Sequence, residues 1–170
     1  MANKIIIEWN DSYSIGIKVI DDQHMKLIEL TNKLFDSCLS GHERTKFDSI
    51  FLDIIHEIIA YVSYHFGAEE KVMERSNYPE YKIHKQEHAN FAKEILNKVE
   101  EFKLCKVNPS LSFVYYLKNW VFSHVAVSDR KLGTYLGEMK RNGAFQHIVL
   151  GTKKDVKTNQ SVNEQKRDVI

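Results

Sequence analysis

The chain of 170 residues is 43% hydrophobic and 28% charged, which suits one domain with a substantial core. Its formal net charge is +1, so it lacks the basic excess of proteins that bind nucleic acid or an anionic membrane surface. No apolar run approaches the roughly 20 residues that a membrane span requires.

The first twenty residues carry aromatic and aliphatic side chains without a helical period, and we expect them to form an ordered arm. Their apolar run of three isoleucines stops at Glu8, which is too short for the core of a signal peptide. These features predict a cytoplasmic protein.

Four helices are predicted next, because apolar residues recur close to every 3.6 positions and only two prolines interrupt the chain. Asp21 or Asp22 is expected to cap the first helix. Proline favours the first helical position, so Pro79 and Pro109 are expected to start the third and fourth helices. The predicted helices cover about residues 22–40, 45–74, 79–103 and 109–132.

Short connections between four helices predict an all-α, antiparallel up-down-up-down four-helix bundle. We expect residues 1–138 to form this bundle with its arm. Residues 139–170 are polar, mixed in charge and without period, and predict a partly disordered C-terminal extension. Cys38 and Cys105 lie in apolar helical patterns and are expected to be reduced core thiols.

Histidines and carboxylates recur at one end of this predicted bundle. Residues four apart share one helix face, and such pairs occur once as His-x-x-x-His and once as His-x-x-x-Glu. Because the start of one antiparallel helix lies beside the end of the next, all the candidates fall at the same height. Burying so many of these groups without a cation would be strongly unfavourable, so the cluster predicts a metal site. The candidate ligands are His24, His65, Glu69, His84, His88, His124 and Asp129.

Taken singly, each histidine is more typical of a hydrogen-bonded core residue. The zinc-protease pattern His-Glu-x-x-His is excluded, because Lys85 follows the first histidine of HKQEH. His56 is half a rotation from His65, His42 lies in a loop, and His147 lies beyond the bundle. We assign no chemistry to these three.

The spacing of His124 and Asp129 does not suit a regular α-helix. Five residues correspond to about 140° of rotation, so the two side chains would point apart. A local π-turn would bring them to one face, and such turns are frequent at functional sites. We therefore predict a π-turn within 122–131.

Several motifs together resemble those of the hemerythrin family, over about residues 5 to 136. They are IDDQH (20–24), HFGAEEKVM (65–73), the NYP turn (77–79), HKQEH (84–88) and WVFSHVAVSD (120–129). The resemblance implies two iron ions bridged by Glu69, Asp129 and an oxo or hydroxo group. It assigns His84, His88 and His124 to one iron, and His24 and His65 to the other. Val121 departs from the family, which commonly has leucine there.

The resemblance further implies dioxygen binding at the one coordination position left open, on the two-histidine iron. The residues alone leave zinc, manganese or a mixed pair open. Ferritin-like di-iron enzymes use Glu-x-x-His elements, and this sequence has none. We therefore predict reversible dioxygen binding for storage, delivery or sequestration rather than an enzyme. The alternatives are an oxygen or redox sensor, or a di-iron enzyme acting on peroxide or nitric oxide.

Overall fold

The computed structural model describes residues 5–40, 44–104 and 111–143, without the side chains of 44 and 45. Within these residues the chain is helical and contains no strand. A short 3-10 turn lies in the arm, and a π-helical segment joins the last two helices into one continuous rod. The elements are the 3-10 turn Asp11–Tyr13, α1 Lys18–Leu39, α2 Arg44–Arg75, α3 Tyr81–Lys103, α4 Leu111–Ser123, the π segment His124–Asp129 and α5 Arg130–Arg141.

The four rods pack as the predicted bundle, which confirms the all-α fold. Helix α1 packs against α2 and α4, and α2 packs against α3. The ring of Phe91 on α3 stacks on Trp120 of α4 with 3.6 Å between ring centroids, which joins the two remaining neighbours. Leu34 and Ile55 are completely buried in the core between these helices. No helix in the described ranges has the length and apolar character needed to cross a membrane.

The predicted N-terminal arm is tied to α1 by side-chain hydrogen bonds. Asn32 Oδ1 accepts from the backbone N–H groups of Ile6 and Ile7 at 3.0 and 2.9 Å, and Asn32 Nδ2 donates to the Ile7 carbonyl at 2.7 Å. Asp21 accepts from Ser14 Oγ and from the Ile15 N–H, each at 2.8 Å. These bonds fix the arm along the helix that it precedes.

The helix ends differ from the predicted ones for identifiable reasons. Asp21 does not cap α1, which begins at Lys18, because its carboxylate bonds the arm instead. Pro79 precedes α3 rather than starting it, because the Tyr81 N–H donates to the Tyr78 carbonyl in a turn and Glu80 is the N-cap. The end of α2 lies within a residue of the predicted one.

The last helix extends well beyond the predicted end at Leu132. Leu132 and Leu136 pack with Met73 and Tyr78 into a second small core, which continues the helix to Arg141. The proposed bundle boundary at residue 138 therefore falls inside α5. Cys38 is free and partly buried. Several predictions lie outside the described residues, namely those for Cys105, Pro109, His42, His147 and the chain from 144 onward.

Candidate metal centre

All seven predicted ligands meet inside the bundle, and each is at most 5% exposed. They form two overlapping groups whose ligand atoms lie within 4.8 Å of one another. Four elements contribute these side chains: α1 has His24, α2 has His65 and Glu69, α3 has His84 and His88, and the π segment has His124 and Asp129. The first group is Glu69, His84, His88 and His124, and the second is His24, His65, Glu69 and Asp129.

Three imidazole nitrogens of the first group converge on one point. His124 Nε2 lies 3.0 Å from His84 Nε2 and 3.0 Å from His88 Nε2. Nitrogens bound at about 2.1 Å to one metal would be about 3.0 Å apart at right angles and about 3.4 Å apart at tetrahedral angles. The observed distances therefore suit nitrogens that could together bind one metal ion.

The carboxylate of Asp129 lies between the two groups. Its Oδ1 is 3.1 Å from His84 Nε2 and 3.2 Å from His124 Nε2, whereas its Oδ2 is 3.1 Å from His24 Nε2. Each oxygen thus faces a different group. This is the placement expected of a bridging ligand.

Glu69 has a similar position between the groups. Its Oε2 is 3.4 Å from His88 Nε2 and 3.6 Å from His65 Nε2, and its Oε1 is 3.8 Å from His24 Nε2. Glu69 is the one residue that belongs to both groups. Its carboxylate is therefore also placed to bridge.

The acceptor atoms at the centre lack the hydrogen bonds that buried polar atoms normally make. Both carboxylate oxygens of Glu69 and Asp129, and Nε2 of His24, have no hydrogen-bond partner among the described residues. Asp129 Oδ2 and His24 Nε2 are close, but their orientation does not make a hydrogen bond. Unpaired buried carboxylates are costly unless a cation binds them. The donor set consequently fits a metal pair.

A π-helical segment places two of the candidate ligands, His124 and Asp129. It runs from His124 to Asp129, which confirms the predicted π-turn. The wider turn brings a pair spaced by five residues to the same face, so both side chains are buried at the centre. An α-helix would have left one of them pointing away.

The charges of the centre are shaped by burial and by the two carboxylates. Burial opposes the charge of His24, but attraction to the nearby carboxylates of Asp129 and Glu69 outweighs it and raises its pKa to about 9. Burial lowers the pKa of His124 to about 4 and also lowers the pKa of His65. Burial opposes the charge of Asp129, but the surrounding histidines lower its pKa. The carboxylates are therefore anions that attract positive charge.

Three further residues lie beside Nδ1 of candidate ligand histidines, the ring nitrogen on the outer side of the cluster (the outer nitrogen). Gln23 Oε1 lies 3.0 Å from Nδ1 of His65, Glu70 Oε1 lies 3.2 Å from Nδ1 of His88, and Glu87 Oε2 lies 3.1 Å from Nδ1 of His124. Gln23 and Glu70 resemble ordinary surface residues in the sequence, where no spacing rule singles them out. Each partner comes from a different helix, so only the packing reveals the contact.

Aromatic rings hold two of the imidazoles in place. Phe66 stacks on His88 with centroids 3.7 Å apart and planes 5° apart. Trp120 stacks on His124 at 4.4 Å and 15°. His56, by contrast, is exposed on the other side of α2, as predicted.

This arrangement can be set beside known proteins. A family model, the hemerythrin HHE cation binding domain, matches residues 15–136. The chain belongs to the hemerythrin family. Hemerythrins bind dioxygen at a di-iron centre, so this is an oxygen-binding protein with a buried di-iron site of histidines and carboxylates.

Relatives match the same part of the chain. A bacteriohemerythrin of Clostridium acetobutylicum is 30% identical over 128 residues, which cover 72% of this chain and 95% of that protein. One of Stenotrophomonas maltophilia is 31% identical, with 74% and 78% covered. A hemerythrin-like protein of Naegleria gruberi is 28% identical, with 72% and 87% covered. These matches agree with the residues that carry the motifs.

Solved structures show the same fold. A crystal structure of wild-type hemerythrin has a TM-score of 0.69 at 22% identity and covers 76% of this chain and 96% of its own. A leucine-to-alanine variant of hemerythrin gives 0.71 at 22% identity, with 78% and 98% covered. At this identity the similarity demonstrates the bundle alone.

Proposed function

We propose that the protein binds dioxygen reversibly, with His84, His88 and His124 on one iron and His24 and His65 on the other. Glu69 and Asp129 bridge the pair. The observation that carries this proposal is the position of Asp129, whose two carboxylate oxygens each lie about 3.1 Å from imidazole nitrogens of opposite groups.

The unequal division of histidines gives the proposed site its open side. Three imidazoles converge on one half and two on the other. Glu69 belongs to both groups, and the two carboxylate oxygens of Asp129 face imidazoles of opposite groups. The half with His24 and His65 therefore has one protein ligand fewer, and we infer that dioxygen binds on that side. A loaded di-iron pair supplies reversible two-electron exchange with dioxygen.

The chain itself keeps water and other reactants from this centre. The seven proposed ligands are almost fully buried. Phe66 stacks on His88, and Phe66, Phe91 and Val121 are all buried in the apolar core. Dry, apolar surroundings disfavour the separated charges on which irreversible oxidation depends. This supports a carrier for storage, delivery or sequestration.

The ligand types also favour carriage over oxygen activation. Five neutral imidazoles outnumber two carboxylates, whereas ferritin-like di-iron enzymes have a majority of carboxylates. Fewer anionic ligands stabilise high-valent iron less, so bound dioxygen should leave unchanged. We propose that the protein is not an enzyme. An enzyme acting on peroxide or nitric oxide would instead consume its substrate, and a redox sensor would change its contact with a partner.

Absorption spectroscopy of the reduced, iron-loaded protein tests this proposal. We expect new visible bands on exposure to air and their complete loss when oxygen is removed, over repeated cycles. A spectrum that does not return, with oxygen consumed in proportion, would refute reversible binding and favour the enzyme.

The ligand assignment is tested by a matched pair of variants on α2. Glu69→Ala removes a bridge and should leave at most one iron per chain, because each bridging carboxylate binds both halves. Glu74→Ala removes an exposed carboxylate of the same helix and should bind two irons. Two irons and an unaltered spectrum in Glu69→Ala would show that Glu69 is not a bridge.

A further inference from the structure

The ligand histidines differ in what lies beside their outer nitrogen. In the three-histidine group, Nδ1 of His88 lies 3.2 Å from Glu70 Oε1, and Nδ1 of His124 lies 3.1 Å from Glu87 Oε2. In the two-histidine group, Nδ1 of His65 faces the neutral amide of Gln23 at 3.0 Å. Carboxylate partners therefore occur on one half of the centre only.

The remaining two histidines do not alter this difference. Nδ1 of His24 and Nδ1 of His84 have no hydrogen-bond partner among the residues that the structure describes. The three-histidine half thus has two carboxylate-supported rings, and the two-histidine half has one amide-supported ring. The asymmetry lies in charge rather than in the number of ligands alone.

Both glutamates are held in position by second contacts. Lys85 Nζ forms an ion pair with Glu70 Oε2 at 2.9 Å. Burial opposes the charge of Glu70, but the hydrogen bonds from Lys85 and His88 outweigh it and lower its pKa. Ser128 Oγ donates to Glu87 Oε2 at 2.6 Å. Each carboxylate is therefore oriented toward its imidazole rather than free to rotate into solvent.

A carboxylate that accepts a hydrogen bond from Nδ1–H makes the imidazole a stronger electron donor to a metal at Nε2. A neutral amide oxygen in the same position has a weaker effect. Stronger donation stabilises the more oxidised metal and lowers its reduction potential. We propose that Glu70 and Glu87 are positioning residues that lower the reduction potential of the three-histidine iron relative to the two-histidine iron. This inference rests on the ligand assignment of the proposed function.

Spectroelectrochemical titration of iron-loaded protein tests this difference. Glu70→Gln and Glu87→Gln keep the shape of the side chain but remove its charge. We expect each to raise the lower of the two one-electron potentials, with about a tenfold change in the ferric-to-ferrous ratio at fixed applied potential, which is about 59 mV. The gap between the two steps should narrow.

Gln23→Glu provides a test of opposite sign. It places a carboxylate beside His65 and should lower the higher of the two reduction potentials. The difference between the two potentials then narrows because the higher one falls. Gln23 is 5% exposed, and a buried charge there could unfold the chain. The two glutamate variants, on partly exposed side chains, are decisive without it.

Glu80→Gln is the matched control. Glu80 is paired with Lys131 at 3.0 Å, so this variant loses the same charge and a lysine contact without touching a ligand histidine. Its potentials should equal those of the wild type. Unchanged potentials in Glu70→Gln and Glu87→Gln with two irons bound, or an equal shift in Glu80→Gln, would overturn the inference and leave the proposed function intact. Failure of the wild-type chain to bind two irons would overturn both.

Discussion

Gly133 of α5 leaves no room for a side chain beside the N-terminal arm, and its replacement by alanine should loosen the packing of the arm on α5. A Cβ at Gly133 would lie 2.5 Å from the Ile15 carbonyl oxygen and 2.7 Å from the Ile15 Cβ. The first of these atoms is backbone, which cannot rotate away as the end of a side chain can. The arm is also held by Arg130, which donates to the Ser12 carbonyl. Either the arm or α5 must shift.

The magnitude follows from two opposing effects. Forcing an extra methyl into a filled space costs about 1–3 kcal/mol. Replacing glycine by alanine inside a helix gains about 1 kcal/mol. Gly137, four residues later on the same helix, has no atom within 4 Å of its would-be Cβ, so Gly137→Ala has the helical gain alone. The difference in unfolding free energy between the two variants should therefore be about 1–3 kcal/mol, with Gly133→Ala the less stable.

Urea denaturation of both variants in the metal-free state measures this difference without a contribution from iron. Because Gly133 lies one turn after Asp129, the same shift should also weaken iron retention in Gly133→Ala. Gly137→Ala should retain iron like the wild type. Equal unfolding free energies for the two variants would refute the reasoning, since the helical gain is common to both.

Three further outcomes are expected. Asn32→Ala removes three hydrogen bonds to Ile6 and Ile7, each worth about 1 kcal/mol, so it should lower the unfolding free energy by up to about 3 kcal/mol and speed amide exchange at both residues. In the metal-free protein, His24 has its pKa raised from 6.5 to about 9, so its contribution to stability is full below pH 6.5 and lost by about pH 9. His124 has its pKa lowered to about 4, so its contribution is full above pH 6.5 and lost as the pH falls to about 4. Denaturation across pH should therefore give a stability maximum near pH 6.5, and a monotonic profile would contradict these assignments. Acid should also release iron, because protons compete for the five histidines, and iron content that is constant down to about pH 4 would exclude this linkage.

The four helices and the seven candidate ligands could be read from the sequence because helical order is local. A period near 3.6 places residues four apart on one face, which identified the His84–His88 and His65–Glu69 pairs. The same arithmetic showed that His124 and Asp129 need a π-turn, and the structure has one. Antiparallel topology then brought these pairs to one height.

Contacts between helices were decided only by the tertiary structure. Gln23 reaches His65 on α2 and Glu70 reaches His88 on α3, and neither contact has a signature within its own helix. Asp21 bonds the arm rather than capping α1, because the course of the arm is set by Asn32 on the next turns of the helix. Side-chain spacing along one helix depends on backbone geometry alone. The neighbour that each outer nitrogen meets depends on how the whole core rotates and shifts one helix against another.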